Sequence, residues 1–151
     1  MKALNLIIGI GVIAVLWLVV GVGLNSLLAN MIPFQSTTPE DFMVLNRTAS
    51  LAVAIATILL FAIWFFYGSR DKVTLNLKGA KSTWALLFII SIVLTIVQVI
   101  YMTIATQDDG VPIQHLLMIF IGTSLIGWAG YWLVSYFWSP NNVKYCVLGK
   151  K

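Results

Sequence analysis

Four long stretches of this chain contain no Asp, Glu, Lys or Arg, and each is long enough to cross a bilayer as a helix. They run from Leu4 to Leu28, Thr48 to Tyr67, Trp84 to Ala105 and His115 to Trp138. About 20 apolar residues, rising 1.5 Å each, cover roughly 30 Å of hydrocarbon. A charge at the centre of such a helix costs about 2.5–3.5 kcal/mol on the insertion scale, so four uncharged runs predict four spans. The chain therefore reads as one all-α integral membrane domain over 1–151, with four transmembrane helices. Composition agrees: 60% of the 151 residues are hydrophobic and 9% charged, with a mean hydropathy of +0.98, too little charge to cover a soluble surface. The first run is read as a retained span rather than a cleaved signal, because its apolar core is about twice the usual length.

Charge sets the expected orientation. Four spans put the N-terminus, the middle loop and the tail on one side, and that side holds eight of the nine basic residues; only Arg47 falls on the other. Glu40, Asp41, Asp108 and Asp109 run the opposite way, with Asp71 alone on the basic side. The positive-inside rule then places both termini in the cytoplasm, and the expected location is the plasma membrane of a prokaryote. The net charge of +4 is accounted for by topology, without a nucleic-acid partner. Trp64, Phe65, Phe66, Tyr67, Trp84, Tyr136, Phe137 and Trp138 gather at the cytoplasmic ends of three spans, where rings are expected at headgroup level.

The loops carry further expectations. Thr38-Pro39-Glu40-Asp41 has the order of a helix start: a hydroxyl cap, a proline at the first turn, and acids at the positive helix end. Helix two thus begins near Pro39 and extends outside the membrane. Its projecting turns carry Phe42, Met43 and Leu45, which either fold back on Ile32 and Phe34 or meet a partner. On the cytoplasmic side, Val73–Leu77 and Val143–Val147 alternate apolar and polar residues at strand period. A short cytoplasmic β-ribbon is one reading of them, an irregular interfacial loop the other.

Few side chains inside the spans carry chemistry. Ser91, Thr95, Gln98 and Met102 share one face of helix three, either as a polar path or ligand site or as a hydrogen-bonding face toward a neighbouring helix. Trp17 and Trp128 lie near mid-span, as cavity walls or as partners of close-packed glycines. Gly21, Ala52, Ala56, Thr123, Gly127 and Gly130 are the small residues expected to bring helices together. His115 with Asp108 and Asp109 matches no metal-site spacing, and no metal is expected. The spans lack the ionisable groups on which pumps and ion-coupled transporters depend. One cysteine, Cys146, permits no internal disulfide, and no nucleophile–base set is present, so an enzyme is not expected. No cofactor is expected beyond bound lipid. The function expected is that of a non-catalytic structural or accessory subunit of a larger membrane complex, such as a respiratory, oxidoreductase or secretion assembly. Its expected partners are lipids and other integral membrane subunits. The alternatives are a self-associating channel or carrier for a small neutral solute, or a protein binding a lipid, pigment or quinone.

Overall fold

The computed structural model describes residues 2–32, 38–107 and 111–150, and among these it is all-helical, without strands. Four helices are long and apolar enough to cross a membrane: Ala3–Met31, Pro39–Gly68, Leu77–Ala105 and Ile113–Trp138. The first comprises α1 (Lys2–Leu16), a π-helical stretch (Trp17–Leu24) and α2 (Asn25–Met31). The second is α3 (Pro39–Gly68) and the third α4 (Leu77–Ala105). The fourth divides into α5 (Ile113–Ile126) and α6 (Trp128–Trp138) at Gly127.

Helix starts follow local chemistry. Thr38 caps α3, its Oγ1 accepting from the Asp41 amide at 3.1 Å, with Pro39 in the first turn. At 30 residues, α3 is about 45 Å long, well over the hydrocarbon thickness. The turns carrying Phe42, Met43 and Leu45 fold back on the chain itself: Phe42 is fully buried in a cluster with Leu28, Ile32, Met102 and Ile119. Phe34, Asp108 and Asp109 lie outside the described residues.

Of the two readings of the strand-period segments, ribbon or irregular loop, the structure shows no strand at either. Asp71–Leu75 and Lys144–Cys146 are 3-10 turns, held by local bonds such as Asn76 N–H to Val73 O (3.0 Å) and Cys146 N–H to Val143 O (2.9 Å). Burial follows a turn's spacing rather than alternation: Val73, Val143, Cys146 and Val147 are buried, while Leu75 is 88% exposed. Just beyond the first turn, Asn76 Oδ1 accepts from the Gly79 amide at 2.9 Å and starts α4 at Leu77, a full two turns before Trp84.

The aromatic belt also differs from expectation. Trp64, Trp84 and Phe65 are buried inside the bundle, whereas Phe66 and Phe137 face outward. Two indole N–H groups donate to serines: Trp64 to Ser139 Oγ, one residue past the fourth span, at 2.7 Å, and Trp84 to Ser135 Oγ of α6 at 2.9 Å. With Phe61, Tyr131, Ile13 and Ile126 these rings fill the centre of the bundle. The tail closes this end, with the Lys150 ammonium donating to Tyr136 O and Trp132 Nε1 donating to Leu148 O at 3.1 Å.

Candidate functional site

The polar interior is concentrated away from the tail. Asn25 opens α2, Asn46 lies two turns into α3, and Gln98 lies two turns before the end of α4; all three are nearly fully buried. Gln98 Nε2 donates to Asn46 Oδ1 at 3.4 Å, Asn46 Nδ2 donates to Asn25 Oδ1 at 3.0 Å, and Asn25 Nδ2 donates to Met43 O at 2.7 Å. The chain of amides thus has a direction. Every donation points toward Met43, and Gln98 Oε1 is left as a buried acceptor with no partner. Bonds in such a row polarise one another in a low dielectric, which strengthens the terminal acceptor.

One turn deeper in α3, Trp17 Nε1 donates to Ser50 Oγ at 3.2 Å, with the Arg47 guanidinium 5.8 Å from the indole centroid. This bond depends on Gly21, since an added Cβ there would sit 2.8 Å from both Trp17 Nε1 and Ser50 Oγ. Trp17 falls where the helix widens to π geometry, a rare form that recurs at functional sites. Trp128 is elsewhere, edge-on to Phe88 of α4. The two tryptophans are therefore engaged with different neighbours.

The stripe on α4 faces inward along its length, with Ser91, Thr95, Gln98 and Met102 all buried. Ser91 and Thr95 bond carbonyls of their own helix, Phe88 O at 2.7 Å and Ser91 O at 3.0 Å, so of the stripe's side chains it is Gln98 whose hydrogen bond crosses to another helix. Thr95 also marks the break in the fourth span: its hydroxyl occupies the space a side chain on Gly127 would need. Thr123 supplies the carbonyl that accepts from Gly127 N–H at 2.8 Å, and Gly130 faces Leu16 of the first span.

On α3, Ala52 is exposed and Ala56 half-buried. With Ala49 they form the floor of an open groove between α3 and α4, about 620 Å³ in volume and mostly apolar. Leu94, Val97, Gln98 and Tyr101 form the opposite wall, and Asp41 stands at the mouth. His115 is buried at the start of α5, with Nδ1 unpartnered. Among the described residues no cluster of three His, Cys, Asp or Glu is present.

Sequence reading missed Asn25 and Asn46 as a pair. Their signal is weak but present: Phe42, Asn46, Ser50, Val53 and Thr57 recur at three- and four-residue spacing and are all buried. The architecture is that of a multi-pass membrane protein. Compared with models of protein families, curated proteins and solved structures, the chain shows no significant match.

Proposed function

We propose that this chain is a non-catalytic accessory subunit of a larger membrane assembly in a prokaryotic plasma membrane. Both termini are cytoplasmic in this reading, and the outward face of the first span receives a neighbouring subunit. The observation that carries the reading is the state of that span. Only 17% of its most apolar stretch is buried within the chain, against 50% for the fourth span. Its exposed surface includes the row Gly11, Val15, Val19 and Gly23, and a Cβ added at Gly11 would meet nothing within 4 Å. Four-residue steps drift round an α-helix by about 40° each, and the wider π turn rotates less per residue, which offsets the drift and keeps the row on one face. A glycine facing lipid weakens a helix by roughly 0.5–1 kcal/mol relative to alanine and offers no contact in return. Between helices the same residue allows close approach, where packing drives association.

A solute path along Ser91, Thr95 and Gln98 draws less support. Both hydroxyls are spent on their own helix, and Phe61, Trp64 and Tyr131 occupy the bundle centre.

The test is extraction in mild detergent followed by native sizing and identification of the chains present. The expected result is one species far above 16.7 kDa that contains other chains. Gly11→Leu with Gly23→Leu should release this chain as a small species with its helix content unchanged. A wild-type chain that sizes alone overturns the reading, as does a double variant that stays in the large species. A pure homo-oligomer would instead favour the self-associating channel.

A further inference from the structure

One face of α4 is turned away from the bundle, and it ends in lysine. The buried residues Ala80, Trp84, Leu87, Ser91 and Thr95 recur at three- and four-residue steps and share one side of the helix. Opposite them lie Lys78, Ser82, Leu86, Ile89 and Val93, also at three- and four-residue steps, and all five are exposed. The three apolar side chains of this row stand 58%, 55% and 51% open. Lys81 flanks its end. Lys81 and Lys78 precede Trp84, where the uncharged run begins, by about 4.5 and 9 Å along the axis. Headgroups add about 5–8 Å on each side of the hydrocarbon, so both ammonium groups fall at the level of lipid phosphates. Their long stems allow the charge to stay there while the carbons cover apolar surface.

Charge at this end is nearly all of one sign. Arg70, Lys72, Lys78 and Lys81 are exposed, and among the described residues none of the four has a hydrogen-bond or ion-pair partner for its side chain. Lys150, by contrast, is committed to Tyr136 O. The opposite end of the bundle carries exposed acids, Glu40 and Asp41. An occupant of the α4 row must therefore carry negative charge at the lysine end and apolar surface beyond it. A soluble acidic protein meets the first requirement alone, since it cannot follow the row down to Leu86, Ile89 and Val93 within the span. A phospholipid of net negative charge meets both.

We propose that the outward face of α4 binds an anionic glycerophospholipid, its headgroup held by Lys78 and Lys81 and an acyl chain lying along Leu86, Ile89 and Val93. Arg70 and Lys72, just before α4, add to the positive potential at the headgroup. The site uses no residue of the first span, so it stands whether or not a subunit docks there.

The test is native mass spectrometry of the full chain in detergent with equimolar dioleoyl phosphatidylglycerol and dioleoyl phosphatidylcholine, which share their acyl chains and differ in net charge. Wild-type protein should prefer the anionic lipid about 25-fold, fivefold for each lysine, and less as salt is raised. Lys78→Gln with Lys81→Gln should bring the preference close to one with helix content unchanged. Lys78→Arg with Lys81→Arg should keep it, and so should Lys144→Gln, which removes a charge from the tail turn at the same end. Phosphatidylglycerol with a photoreactive diazirine in one acyl chain should label α4 between Leu86 and Val93, and that double glutamine substitution should abolish the labelling. Equal binding of the two lipids by the wild type overturns the proposal. A preference that survives the loss of both lysines also overturns it, by assigning the effect to diffuse charge, and so does labelling confined to another helix. A wild-type chain indifferent to lipid charge that holds an acidic protein through Lys78 and Lys81 would give the lysines to that protein and end the proposal.

Discussion

Replacing Asn46 by leucine, nearly the same shape without the amide, tests the polar chain directly. Asn46 is its middle link, accepting from Gln98 at 3.4 Å and donating to Asn25 at 3.0 Å. In water-soluble cores an orphaned partner costs about 1–3 kcal/mol. Hydrogen bonds between membrane helices average about 0.6 kcal/mol, with a maximum near 1.7, because the unfolded chain in a membrane also finds partners. The lower scale applies here. The bond to Asn25 has good length and the one from Gln98 is long and weak, so Asn46→Leu should cost about 1–2 kcal/mol. Gln98→Leu breaks the weak bond and also removes a buried acceptor that has no partner, so it should cost less than about 0.6 kcal/mol. Unfolding titrations in mixed micelles, followed by helix ellipticity, measure both. The reasoning is refuted if Gln98→Leu proves as costly as Asn46→Leu, or if Asn46→Leu is neutral.

Gly9 faces the fully buried Phe61 ring, which a side chain would overlap, so Gly9→Val should cost about 1–3 kcal/mol by overpacking; Gly11→Val, in open space, should change the same titration little. Ser135→Ala and Ser139→Ala each strip the acceptor from a buried indole N–H, of Trp84 and Trp64 respectively, and should each destabilise by about 0.6–1.7 kcal/mol while altering tryptophan emission. Burial pushes the Cys146 thiol above its usual range, against a smaller downward pull from Lys81. The thiolate is the reactive form, so a raised value means slow maleimide labelling at neutral pH and a rate still climbing above pH 9. Labelling at the rate of a free thiol in the folded protein would show that the tail does not pack as described. Reporter fusions should place the tail in the cytoplasm, and moving the charges of Lys78 and Lys81 to positions 33–37, between the first two spans, should weaken that orientation.

The number of spans and their approximate limits could be read from the sequence because they depend on transfer of side chains from water to hydrocarbon, a property of each residue alone. The start of α3 was legible for a similar reason. Thr38, Pro39 and Asp41 act within one turn, and the cap they predict is the cap observed. The start of α4 was hidden, since Lys78 and Lys81 suggested a loop although both simply project from its first turns, exposed.

What the tertiary structure decided was the direction each side chain faces. Val73 and Val143 alternate with polar neighbours as strand residues do, yet the end of the bundle buries them as turns. Trp64 and Trp84 have the position of interfacial rings, but serines distant in sequence draw their N–H groups inward. Asn25, Asn46 and Gln98 come from three separate spans, and no local pattern links them. Hydropathy is a sum over single residues, whereas a hydrogen-bonded chain and a groove exist only once helices are set side by side. The uncharged runs determined that this chain can cross a membrane; their packing decided that Ala52 and Ala56 border an open groove and that Gln98 Oε1 is buried without a partner.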